Sequence, residues 1–502
     1  MAVSEDGPVE IRAIDPRLSH EGIKEKKLGL VKDSKDLRTK PQKRGANGAP
    51  LRTRPSSCCH VAARRLGLQG QCEVHMAKVR RMNRRMAGLL RARLPDPGLE
   101  KVADPRRRRG RRWKLATLLR TCLAAMVAGC RSLGETESLT EEMSTALRAE
   151  LGIARRVPDT SLRGVLVRIR PSQLRNCLRR QTRRAYRRKA LAPVGLPFGV
   201  VAIDGKSTSI EAWDRLYAQR HEDSNKGVRG LVRTLTCSLV SSRAKVCIDA
   251  VPIPPATNEM GHFCEAFRGL LRAYGRSLFR LVSTDAGMCS LENAGVVKDS
   301  GKEYLFCIKG DQPTLLAEAK RLLEHEEAPL CETVDVSGKH TVTRRLYRTQ
   351  EMAGYLDWSH LRTVLRVESS KREIETGFEV EHENRYFISS LDGKELTDGQ
   401  WLYVVRQHWA VENQCHNTWD TAFEEDGRPW IVCDPQGTLV VALLRRLAYN
   451  MLALFRSVSQ RSEQRRQVPW KELMRWMYNA LIGARQDDLV GLRARQGAAA
   501  RS

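Results

Sequence analysis

Two short apolar runs in this chain each end in an aspartate. Val200-Val201-Ala202-Ile203 runs into Asp204, and Leu281-Val282-Ser283-Thr284 runs into Asp285. Runs this short, rich in aliphatic and β-branched residues, read as buried strands rather than helices. A carboxylate at a strand end is held rigidly by the ladder behind it. A third acid falls on a helical pattern. Glu412, His416 and Asp420 recur every four residues, with Trp409 and Trp419 beside them, and His408 precedes Glu412 by the same step. A regular helix places such residues on one face, one turn above another. Polar groups on one stripe, bracketed by tryptophans, do not read as a solvated surface.

The texture around these acids is α/β. Strand-like runs at 199–203, 231–238, 245–251 and 279–283 alternate with a helical run at 259–274. A strand at 304–308 and a helix at 312–326 follow. Residues 331–391 lose helical periodicity and alternate as strands, and a last apolar helix spans 438–455. Upstream, 113–190 reads as helical. Its final segment, 173–189, carries arginines at 175, 179, 180, 183, 184, 187 and 188.

The charge balance narrows the partner. The 502 residues carry a formal net charge of +29. Residues 1–112 hold 29 Lys and Arg against 12 Asp and Glu, and no acid occurs between Asp159 and Asp204. Two separate basic stretches point to a polyanion, nucleic acid first. Like charges at the density of 1–112 resist packing, so low order is expected there, with a short helix near 74–94. The Arg-rich helix is the expected phosphate grip through Arg175, Arg179 and Arg183, joined by Lys206 and Lys309.

Fourteen cysteines without any C-x-x-C pair fit free thiols in a reducing cytoplasm. Cys58, Cys59, His60, Cys72 and His75 cluster in the basic arm, but their spacing fits no strong zinc-finger pattern. The N-terminus is acidic and does not read as a signal peptide. No run of 18 apolar residues occurs, so no membrane partner is expected. P-loop, G-x-G-x-x-G, H-E-x-x-H and G-x-S-x-G patterns are missing from the sequence.

Two strand-end acids and a later helical acid are the donor set that two-metal phosphoryl transfer uses. Asp204 suits the bridging position, with Asp285 and Glu412 flanking. The ions expected are Mg²⁺ (or Mn²⁺), two in number, because hard oxygen donors dominate. His408 and His416 are candidates to orient the scissile phosphate or to shuttle a proton.

These residues resemble a known family. Asp204-Gly205-Lys206, Ser283-Thr284-Asp285-Ala286, Lys309-Gly310-Asp311-Gln312 and the run from His408-Trp409 through Glu412, His416, Asp420 and Phe423 to Glu425-Asp426 are similar to motifs of the DDE transposases of bacterial insertion sequences. The branch resembled is the one that includes the H-repeat-associated proteins. Thr257-Asn258-Glu259 resembles its Thr-Asn-Glu element. The sequence departs from related transposases in three places. His408 stands four residues before the Glu, the Arg place of their frequent Tyr-x-x-Arg-x-x-x-Glu pattern, and Trp419 stands seven after it where they have Lys. Asp311 also replaces the common Asn of Lys-Gly-Asn-Gln.

The resemblance implies a ribonuclease-H-like catalytic core in which Asp204, Asp285 and Glu412 bind metal. It implies a strand-rich insertion at about 331–391 within a catalytic domain at 193–460. A helical DNA-binding domain is expected at 113–192, a basic low-order arm at 1–112 and a helical tail at 461–502. The implied activity is end binding, cleavage by metal-activated water and transfer of the 3′ end. The implied partners are double-stranded DNA (terminal inverted repeats and target) and a second copy, as a homodimer in a synaptic complex. A cytoplasmic, nucleoid-associated location goes with it. A nuclease that cuts without joining uses the same acids, and a catalytically silent DNA-binding relic needs none of them.

Overall fold

The computed structural model describes residues 69–489 apart from Lys226 and Arg461. Ten strands form one mixed sheet in the order β2-β3-β1-β5-β6-β10-β9-β8-β7, with β4 paired to β3. At its centre β1 (Val200–Ile210), β5 (Leu281–Thr284) and β6 (Glu303–Ile308) run parallel. β3 (Gly227–Leu239) lies antiparallel to β1, and β2 (Ala218–Asp223) and β4 (Cys247–Pro252) both pair with β3. On the other side β10 (Glu379–Ser389) runs antiparallel to β6. β9 (Thr363–Glu373), β8 (His340–Thr349) and β7 (Cys331–Ser337) then extend the same sheet outward.

The period of two along β1 explains why both faces are covered. Val201 and Ile203, with Val282 of β5, pack against Phe263 and Phe267 of the helix Glu259–Tyr274. Val200 and Ala202, with Leu281, pack the opposite way against Trp401 and Leu402 of the helix Asp398–His408. After Asp204 the strand continues with Lys206, Thr208 and Ile210 inward. That stretch looks too polar for a strand, so the sequence reading ended it at Ile203. Pairing with β3 as far as Ile210↔Gly230 carries it on.

A third apolar cluster is helical. Pro435–Leu454 lies at its centre, packed against Leu115–Val127 and the Arg-rich helix Pro171–Arg187. The segment Pro435–Ser459 is long and apolar enough to cross a membrane by length and composition, but it is buried within the protein, as core helices are.

Residues 69–112 differ from the low-order expectation. Gln69–Arg93 is one helix, and Met86 and Leu90 are buried beside Trp470–Gly483. Arginine stems on one face leave the Met and Leu stripe free to pack, so charge density alone misjudged this segment. The expected helix at 74–94 falls within it. Residues 1–68, with Cys58, Cys59 and His60, lie outside the described residues, as do the side chains of Cys72 and His75.

Just before β1 the chain makes a close approach. A Cβ on Gly199 would lie 2.1 Å from the carbonyl oxygen of Leu278. Gly199→Ala is therefore expected to shift β1 against β5 and cost about 1–3 kcal/mol. A urea midpoint equal to that of the parent would refute this.

Candidate active site

The register of the parallel strands sets the site. Ile203 pairs with Thr284, and Thr284 with Phe306. Asp204 and Asp285 therefore emerge side by side where the parallel pairing of β1 with β5 ends, Asp204 midway along β1 and Asp285 just past β5, at the carboxyl end of the parallel ladder, the edge where open α/β sheets bind ligands. Lys309 follows β6 at the same end and is exposed.

Glu412 arrives differently from the expectation. Val411–His416 is a π-helical turn between the helices Asp398–His408 and Asn417–Thr421. The wider turn slips the phase by about 100°, the angle per residue of an α-helix. Glu412 is consequently exposed while His416 is buried, so the single stripe of Glu412, His416 and Asp420 is divided.

Electrostatics show that the acids share one field. Burial, then Asp285 and Glu412, raise the Asp204 carboxyl to about 7, against an opposing bond from the Gly205 N–H. Burial raises Asp285 as well, with Lys309 opposing and Glu412 adding. One oxygen of Asp285, Oδ1, is buried with no hydrogen-bond partner. Repelling carboxylates and an unsatisfied buried oxygen are chemically suited to a hard divalent cation. Among the described residues, however, no three His, Cys, Asp or Glu side chains converge closely enough to hold an ion as they stand.

A fourth carboxylate escaped the sequence reading. Glu259 opens the helix Glu259–Tyr274, which Asn258 caps by accepting from the Gly261 N–H at 2.9 Å. A Cβ on Gly205 would sit 1.8 Å from Glu259 Oε1, so only glycine admits that carboxylate beside Asp204. Burial and Asp285 raise Glu259. The Thr-Asn-Glu element was visible in the sequence, but its Glu reads locally as an acid at a helix start.

The two histidines are buried. His408 Nδ1 lies 3.2 Å from Ser283 Oγ, which ties its helix to β5. His416 Nδ1 lies 3.4 Å from Asp204 Oδ2. Burial, with Arg385, lowers His408 to about 4; burial, with Arg446 and Lys206, lowers His416 to about 3. Both rings are neutral near pH 7, so the His416–Asp204 approach is a neutral contact rather than an ion pair. Orienting neighbours fits these rings better than shuttling protons does, since a shuttle works best with a pKa near the ambient pH.

Four of the five basic residues expected to grip phosphate have internal partners. Arg175 Nε donates to Asp249 Oδ1 at 2.9 Å and Arg179 Nη2 to Asp249 Oδ2 at 2.6 Å. Asp249 is fully buried. Burial would raise its carboxyl, but the two guanidiniums outweigh that and hold it below the usual range. Burying Asp249 requires its cations nearby, so these arginines anchor the helix to β4 instead of facing DNA. Arg183 donates to the Ala273 carbonyl at 2.9 Å. Lys206 is also committed: its Nζ donates to Asp420 at 3.0 Å and to Asp426 at 2.5 Å, which clamps β1 to the segment after Glu412. Lys309 remains exposed beside Asp285.

Next to Glu412 a groove of about 560 Å³ runs along the outer strands, lined by His340, Arg344, Lys371, Arg385 and Trp409. The Arg385 guanidinium lies over the Trp409 ring at 4.4 Å.

Residues 98–181 match the family described as DDE_Tnp_1-associated. The chain is 26% identical over 325 residues to YbfL of Escherichia coli (strain K12), covering 62% of this chain and 78% of that protein. It is 27% identical over 237 residues to YhhI of the same strain, an H repeat-associated protein named as a transposase, covering 45% of this chain and 57% of the relative. YncI of Escherichia coli O157:H7, also named as a transposase, is 23% identical over 181 residues, covering 34% and 45%. The matches thus span only about half the length of YhhI and of YncI. A solved piggyBac transposase synaptic complex with hairpin DNA superposes with a TM-score of 0.36 at 12% identity, over 78% of this chain and 76% of that one; so loose a superposition carries no argument. The matched domain and the relatives named as transposases support a bacterial DDE-type transposase.

Proposed function

We propose that the chain binds the ends of an insertion sequence, cleaves DNA and transfers the freed 3′ end to target DNA. The observation that carries this reading is the shared field of Asp204, Asp285 and Glu412 where the parallel pairing of β1 with β5 ends. The central strand order, with β1 between antiparallel β3 and parallel β5 and with parallel β6 beyond β5, supports a ribonuclease-H-like core. The strands β7–β10 stand where the insertion between the second Asp and the Glu is expected.

Asp204, Asp285 and Glu412 would hold Mg²⁺ (or Mn²⁺), which when bound in a pair supplies an activated water and a stabilised leaving oxygen. The remaining chemistry belongs to the chain. Asp204 and Asp285 are fixed by the ladders behind them. Glu412 is exposed on its π-turn and its carboxylate has no hydrogen-bond partner among the described residues, so it can turn toward Asp204 and Asp285. His416 and His408 set the positions of Asp204 and Ser283. Lys309 is placed to meet a phosphate oxygen beside Asp285. Double-stranded DNA is the partner, with a homodimer in the synaptic complex and a cytoplasmic, nucleoid-associated location.

Pre-cleaved element ends incubated with a target plasmid and Mg²⁺ test the reading directly. Joined products are expected. Cleavage of intact ends without joining would leave a nuclease, and neither product with the wild-type chain would leave a DNA-binding relic.

A further inference from the structure

On the Arg-rich helix, the cations that keep their charge unneutralised are not the ones that meet Asp249. Arg184 and Arg188 approach Asp96 at 3.8 and 2.9 Å. Arg180 donates to the carbonyls of Pro97 and Gly98, and Arg183 to that of Ala273; these acceptors carry no charge. Arg187 and Lys101 are exposed and, among the described residues, their side chains have no hydrogen-bond or ion-pair partner. Arg180, Arg183, Arg184, Arg187 and Lys101 together line a groove of about 560 Å³ beside Ala273–Leu278, and no carboxylate lines it.

The groove's place is set by the helix Glu259–Tyr274. Its first residue stands at the acid site and its last in the groove wall. Sixteen residues separate the two ends by about 24 Å. That is roughly seven base-pair steps of duplex at about 3.4 Å per nucleotide on each strand. The groove therefore lies outside the reacting site.

We propose that this groove is a second nucleic-acid contact, remote from the acids, that grips the phosphate backbone of duplex DNA. It rests on the reading above that the chain's ligand is DNA. Of the five cations only Arg184 has a carboxylate within ion-pair reach, Asp96 at 3.8 Å; the excess positive charge is self-repelling, and a row of phosphates relieves that repulsion while releasing counterions. Arginines whose remaining N–H groups are already fixed by carbonyls meet phosphate oxygens with little loss of side-chain freedom. Such contacts position a duplex without reading its sequence.

The test uses the full chain, a 30-base-pair duplex of arbitrary sequence and no divalent metal, with anisotropy read over a salt series. Lys101→Gln with Arg187→Gln removes two exposed charges that make no internal contact. The double variant is expected to bind about tenfold more weakly near 0.1 M salt, and its slope of log K against log salt should fall by about two. Lys320→Gln with Lys394→Gln removes two other exposed charges and should leave the slope where it was. An unchanged slope in the first variant, or an equal fall in the second, overturns the groove while leaving the catalytic reading standing. A wild-type chain that binds no duplex overturns both.

Discussion

Glu412→Gln is expected to lose cleavage and strand transfer by at least about a hundred- to a thousandfold, the usual cost of removing one group that stabilises transition-state charge. The substitution keeps size and shape and removes one negative charge. Glu412 is exposed on its π-turn, without an internal partner among the described residues, so the fold loses nothing. Duplex affinity should stay within about twofold, because the proposed DNA contact is made by cations elsewhere. Relieving one repulsive neighbour should also let Asp204 ionise more readily, since Glu412 helps to raise it. Mn²⁺ binding, followed by titration calorimetry, should weaken in parallel with activity. Retained Mg²⁺-dependent cleavage by Glu412→Gln would end the assignment of this residue.

Glu425→Gln should damage the protein more than any change at the acids. Glu425, Arg445 and Arg446 are each about 1% exposed. Arg446 donates to the Glu425 carboxylate and its guanidinium lies 3.8 Å from the Trp419 ring centre. Arg445 approaches the same carboxylate at 3.9 Å and donates to the Arg428 carbonyl. Burial alone would raise the Glu425 carboxyl, but the two guanidiniums outweigh it and hold it below its ordinary value. Without that charge two buried cations stand uncompensated, which costs about 3–5 kcal/mol. Replacing the whole group by apolar residues is expected to be far milder. The pH dependence follows from the lowered carboxyls of Glu425 and Asp249. Each contributes stability that is fully present above the ordinary carboxyl range, and each loses it as pH falls through its own lower value. Urea midpoints measured from pH 7 down to pH 3 should fall steeply for the wild type and less for Glu425→Gln. Parallel curves would refute the argument.

Sequence patterning conveyed a good part of the fold. The helix expected at 259–274 has those bounds, because an Asn cap and a clean apolar stripe mark it locally. The strands leading to Asp204 and Asp285 were legible because both faces are buried, which makes them continuous apolar runs. Strand β2 was missed because its pattern is one buried residue followed by mostly exposed ones, and only pairing with β3 makes it a strand. The helix Leu291–Asp299 has too weak an apolar stripe to stand out.

Local chemistry alone determined which side chains could do the work: carboxylates after apolar runs, a Glu beside histidines, and a large excess of cations. It could not decide which of those charges are spent inside the protein. Arg175, Arg179 and Lys206 read as free because their partners, Asp249, Asp420 and Asp426, lie from about 70 to 220 residues away in the chain. The π-turn that separates Glu412 from His416 is likewise invisible to periodicity, since one extra residue in a turn leaves composition unchanged. Pairing of distant charges and the phase of a helix are properties of the packed molecule, because each depends on which surfaces exclude water together.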